Sequence, residues 1–216
     1  MPLALLILFI SIGKNVPIEM YSVRSLTPAV IVFSFAFLVM FSAMLLTKDR
    51  QSAFLTRLLT TPLRPIDFIL AYVLPFLPLA LLQMVICYII GAILGLAINL
   101  SIILSLIVLI PTSIICIGMG MILGCLCNEN QVAGVGSIII VVISLFGGVW
   151  MDLKLVGGIF EAVGYVLPFA HAIDAARALI KGIGLGSVFI NIIWVIGYSI
   201  VFFFLGILSF QWKTKQ

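Results

Sequence analysis

What this chain lacks most is charge. From Phe68 to Cys127, about 60 residues, there is no Asp, Glu, Lys, Arg or His. Of all 216 residues 8% are charged and 64% hydrophobic, where a soluble domain has about 25% charged. No soluble fold covers such an apolar excess, and no polar run is long enough to build a separate soluble core. Histidine is nearly missing too. His171 stands alone, without the spaced Cys or His partners and the glutamate that an intramembrane metalloprotease needs. There is no GxxxxGK[ST] run, so ATP is not held by a phosphate loop of that type. Spans this free of ionisable groups argue against a proton or voltage pathway. The four cysteines, Cys87, Cys116, Cys125 and Cys127, lie within or at the edge of apolar runs, which speaks against a disulfide framework. Cys125 and Cys127 resemble half a metal site, but no second pair accompanies them. The net charge of +4 is spread over loops; it suits an anionic lipid surface and does not indicate nucleic acid.

What is present is a series of apolar runs, several reaching the roughly 20 residues of a membrane span. Residues 3–12 are apolar but half that length, and they read as the outer half of a first helix whose beginning is missing or shortened. A polar connection at 13–27 leads to a clean span over 28–47. Residues 68–127 are too long for one helix and right for two, with the break expected near 97–101, where Asn99 and Ser101 suit a tight turn. Pro75, Pro78 and Pro111 are expected to kink these helices. Gly91 with Gly95, and Gly120 with Gly124, have the four-residue spacing that lets helix backbones approach, and read as packing. Asn128 to Gln131 reads as a polar turn, and 132–150 as the next span, with Trp150 at its interface. Residues 151–187 hold no uninterrupted span. Two short helices fit there, over 156–167 and 169–181, the second stopped by Gly182. In that second helix His171, Asp174, Arg177 and Lys181 fall near one face. Residues 188–210 form the last span, before a basic tail.

The one long interruption by charge is residues 48–67, with Lys48, Asp49, Arg50, Arg57, Arg64 and Asp67. At about 2.5 kcal/mol or more each, burying these six at bilayer depth costs about 15 kcal/mol, so the stretch stays outside the hydrocarbon. On a helical wheel Phe54, Leu55, Leu58 and Leu59 take one side and Asp49, Thr56, Arg57 and Thr60 the other, which describes an interfacial amphipathic helix. Pro62 stops it. Pro65 and Asp67 suit the first turn of the next helix. The basic residues here and in the tail place both in the cytoplasm, although Lys14, Arg24, Lys154, Arg177 and Lys181 then lie outside. A Ser-His-Asp reading of His171 and Asp174 fails to convince. They stand three apart in one helix, and no strained nucleophile turn is visible.

The order of segments, together with RLLTTPLRPIDF at 57–68 and LPFAHAIDAARALIKG at 167–182, resembles the membrane subunit of type-2 ATP-binding-cassette (ABC-2) exporters, from Pro28 almost to the end. The resemblance implies an all-α polytopic membrane protein, one permease domain over 1–216 with about six membrane segments, the first of them truncated. It implies a cytoplasmic coupling helix at 50–61 seated on a separate ATPase subunit, with Arg50, Phe54, Arg57, Leu58 and Arg64 as its contact residues. Arg50 and Arg57, about 20° apart on the wheel, would then face acidic groups of that partner. It implies short outer helices at 151–187 acting as a gate, with His171, Asp174 and Arg177 as candidate gate residues. The chain itself would bind no cofactor, ATP and Mg²⁺ belonging to the partner, and would pair with a second permease subunit, like or unlike, in a prokaryotic cell membrane. The family's first interface helix and full first span are not seen before Pro28, so either the start is misplaced or this copy is degenerate. Two rival readings stay open at this point. One is a non-transporting membrane scaffold or immunity protein, the other an intramembrane enzyme built on His171, Asp174 and Arg177.

Overall fold

A computed structural model describes residues 4, 6–8, 22–51, 65–97 and 99–214. These residues are helical, with no strand among them: α1 Val23–Gln51, α2 Pro65–Ile93, α3 Leu100–Leu126, α4 Glu129–Phe146, α5 Leu153–Val156, α6 Gly158–Val166, α7 Pro168–Ile180 and α8 Leu185–Thr214. Five helices, α1 to α4 and α8, are long and apolar enough to cross a membrane. Residues 4 and 6–8 are also helical, and Leu6 is buried with Leu26 and Val30. The remainder of the expected first segment, and all of 52–64 with most of the expected coupling helix, lie outside the described residues.

Several boundaries differ from the sequence expectation: α1 runs on to Gln51, past the expected end at 47, and α8 covers 185–214 in place of 188–210. Four others have a local reason. α1 begins at Val23, five residues before Pro28, because a proline inside a helix removes only one backbone donor and its ring can be accommodated. α2 stops at Ile93, earlier than the expected break. Gly95, at φ +107°, lets Leu96 N–H bond the Gly91 carbonyl at 2.9 Å and Gly95 N–H bond the Ala92 carbonyl at 3.1 Å, which is a Schellman stop. Gly95 is therefore a turn residue and not a packing one. The stretch expected as a polar turn at 128–131 is instead a helix start: Asn128 caps α4, and its N–H bonds Gln131 Oε1 at 3.0 Å. That helix ends at Phe146 and not at Trp150, since Gly147 caps it and Gly148 turns the chain at φ +70°.

The two short helices were expected, and they stand at 158–166 and 168–180, meeting at 87°. Leu167 is extended, as the residue before a proline prefers, and Pro168 opens α7. Gly182, at φ +84°, ends α7 in a second Schellman motif, with Ile183 N–H on the Ala178 carbonyl at 3.0 Å. The single turn α5, capped by the Asp152 carboxylate on Lys154 N–H at 3.0 Å, was not foreseen. Residues before and after this hairpin, Asp152 and Lys181, line one cavity. The hairpin therefore returns to the end of the bundle it left and does not cross.

α3 stands at the centre, packed against α1, α8, α7 and α2. Two-thirds of the apolar window of α1 is buried (67%), against 17% for α4 and α8, so α1 is the stem and the other two present broad apolar faces outward. Between membrane helices little hydrophobic force acts, and close backbone contact carries the packing. Here that contact falls on glycines of α3. A methyl group on Gly120 would stand 2.5 Å from the Val39 carbonyl, one on Gly124 2.8 Å from the Ala43 carbonyl, and one on Gly118 3.0 Å from the Phe202 carbonyl. Gly120→Ala should therefore destabilise the bundle by about 1–3 kcal/mol. Gly134→Ala, where nothing lies within 4 Å, should be neutral or mildly stabilising. Thermal unfolding in detergent distinguishes the two.

Candidate functional site

Polar side chains gather at the two ends of the bundle. At one end lies the last turn of α1, immediately before 52–64. Successive helix positions point about 100° apart, so three consecutive side chains there reach three different neighbours. Lys48 forms an ion pair with Glu129 at the start of α4, at 3.7 Å. Asp49 accepts a hydrogen bond from the Tyr72 hydroxyl of α2 at 2.6 Å. Arg50 Nη1 donates to the Gly124 carbonyl at the end of α3 at 2.6 Å and also to the Cys125 carbonyl. Thr47 Oγ1 adds a bond to the same Gly124 carbonyl at 3.3 Å. The last carbonyls of a helix have no partner within it and carry the negative end of its dipole, so a guanidinium is well matched to them. The Lys48–Glu129 pair is exposed and worth about 1 kcal/mol at most. The part-buried bonds of Asp49 and Arg50 hold the register.

At the other end the hairpin is fastened by Arg177 of α7. Its Nε donates to the Ser25 carbonyl in the first turn of α1, and its Nη2 to the Gly148 carbonyl after α4, both at 3.1 Å. Asp174 lies 4.0 Å from Nη1 and accepts from the Tyr165 hydroxyl of α6 at 2.7 Å. Burial, and then this bond to a carboxylate, hold the Tyr165 phenol above its ordinary value. His171 is buried. Its Nε2 faces the Tyr165 carbonyl at 2.9 Å and so donates, while Nδ1 meets the Asn191 side chain of α8 at 2.8 Å, and the ring stacks on Trp194. Both ring nitrogens are occupied by partners that hold α6, α7 and α8 together.

The structure thus brings His171, Asp174 and Arg177 into one network, as their common face suggested. It places Arg50 Nη1 on the carbonyls at the end of α3. Phe54, Arg57, Leu58 and Arg64 lie outside the described residues. Sequence reasoning counted Lys48 only as charge, placed Asp49 on the polar face of an amphipathic helix, and missed Tyr72, Tyr165 and Asn191. The one available signal was that tyrosine and asparagine in an apolar span need partners. Arg177→Lys keeps the charge but cannot bond two carbonyls in a fork. It should lower stability by about 2 kcal/mol and expose the loop after α7 to protease, read by limited proteolysis of the protein in detergent.

In a comparison with known proteins, the family described as ABC-2 type transporter matches residues 1–181. No curated protein and no solved structure matches.

Proposed function

The chain belongs to the ABC-2 type transporter family, and on that premise we propose that it is the permease subunit of an exporter that moves a hydrophobic or amphipathic compound across the cell membrane. ATP is hydrolysed, with Mg²⁺, on a separate ATPase subunit, and a second permease subunit completes the path. The observation that carries this reading is the fan of bonds from Lys48, Asp49 and Arg50 to α4, α2 and α3. A displacement of the segment that follows them is delivered to α2, α3 and α4 at once, which is what a subunit driven from outside requires. Phe54 and Leu58 seat that segment against the spans, Arg57 and Arg64 meet acidic groups of the ATPase, and Arg50 passes the movement on. The Arg50 end is cytoplasmic, following the arginines and lysines clustered there. The hairpin at the opposite end is the outer gate, with Arg177, Asp174 and His171 fastening it.

The test separates docking from transmission. Arg57→Glu, with Arg50 intact, reverses charge at the proposed contact and should weaken co-purification with a co-expressed ATP-binding-cassette ATPase subunit about tenfold or more. Arg50→Gln should leave association intact. Equal association of wild type and Arg57→Glu, or none in either, would contradict the coupling role and favour a membrane scaffold.

A further inference from the structure

A cavity of about 500 Å³ opens at the Arg177 end, between the start of α1, the α5 turn, the end of α7 and the start of α8. That is within the range of sites that take small organic ligands. Three cations line it, Lys154, Arg177 and Lys181, against two carboxylates, Asp152 and Asp174. Both carboxylates are already engaged: Asp152 caps α5, and Asp174 accepts from Tyr165. Arg177 differs. Its Nε and Nη2 are used on backbone carbonyls, while among the described residues Nη1 has only the Asp174 oxygen at 4.0 Å, beyond hydrogen-bonding distance. A guanidinium held rigidly by two of its nitrogens, in the wall of a cavity and with hydrogens left on the third, is prepared for an anionic oxygen. The lining is not all polar. Leu155 is 83% exposed and Ile183 46% exposed, and apolar surface of that kind beside a charged recess suits a molecule with a tail.

We propose that this cavity is a binding site for the anionic head group, phosphate or carboxylate, of an amphiphile whose chain lies along Leu155 and Ile183. Arg177 Nη1 receives the anionic oxygen, and the positive charge of Lys154 and Lys181 on the cavity wall attracts it. This deepens the export reading above by narrowing its compound to an anionic amphiphile, with the site at the outer gate. The same chemistry is found in a free amphiphile and in a phospholipid of the surrounding bilayer.

The test needs neither ATP nor the ATPase, so its failure leaves the subunit-pairing measurement untouched. The full chain in phosphatidylcholine nanodiscs is titrated with dodecyl phosphate, with dodecyl maltoside and inorganic phosphate as tail-only and head-only probes. The Lys154→Ala/Lys181→Ala double variant is titrated alongside. Both lysines are exposed, and Arg177 is left in place because it holds the hairpin. The expected result is saturable binding of dodecyl phosphate, about tenfold weaker in the double variant, with dodecyl maltoside indifferent to the substitution. Phosphatidylglycerol added to the nanodisc reports the source: competition assigns the site to a membrane lipid, and lack of competition to a free amphiphile. Equal binding of dodecyl phosphate to wild type and double variant overturns the proposal, as does equal binding of dodecyl phosphate and dodecyl maltoside by the wild type.

Discussion

A single guanidinium on the end of a helix decides much of this architecture. Arg50 bonds the Gly124 and Cys125 carbonyls where α3 ends, and α3 is the helix against which α1, α2, α7 and α8 pack. In a bilayer the apolar faces of helices gain little from leaving lipid for one another. Directional bonds and close backbone contact must therefore supply register. α1 and α3 have both. Gly120 and Gly124 bring the backbones together along the interface, and Arg50 with Thr47 pins its end. Slipping one helix past the other by a turn would break the carbonyl bonds and drive α1 atoms into the space that the glycines leave.

The opposite end repeats the device. Arg177 also bonds backbone carbonyls, one of them on Ser25 in the first turn of α1. α1 thus has an arginine–carbonyl clamp near each end, with the most deeply buried apolar window of the five long helices between them. A rigid helix fixed at both ends cannot tilt or slide at one end without moving the element clamped at the other. The hairpin of α6 and α7 is that element. It is too short in each arm to span, bent at 87°, and tied to α8 through His171 and Asn191. Where its two arms meet at Leu167 the chain is extended, and the Arg177 and His171 bonds hold both arms against the bundle.

Much of this was legible in composition. The 60 or so charge-free residues after Phe68 divide into two helices, and glycine and proline around 182 and 168 delimit the short helix that carries the polar face. The family was legible in the order of segments and is matched over residues 1–181. Less legible were the helix ends. Asn128 to Gln131 looks like a turn because its residues are polar, yet polar side chains are what a helix start needs. Gly95 looks like a packing residue because it stands four from Gly91, yet only its positive φ shows that it stops a helix. Hydropathy also cannot name partners. That Lys48, Asp49 and Arg50 each hold a different helix depends on where α2, α3 and α4 lie around α1, which no local pattern encodes.

The central claim is that the last turn of α1 transmits motion to the bundle, and one measurement addresses it directly. Export and ATP hydrolysis are followed in the same proteoliposomes for wild type, Tyr72→Phe and Arg50→Lys, each assembled with the ATPase. The account predicts that both variants assemble normally and hydrolyse ATP, while the amount exported per ATP falls several-fold, because the bonds to α2 and α3 are lost or loosened. Unchanged export per ATP in both variants would contradict it.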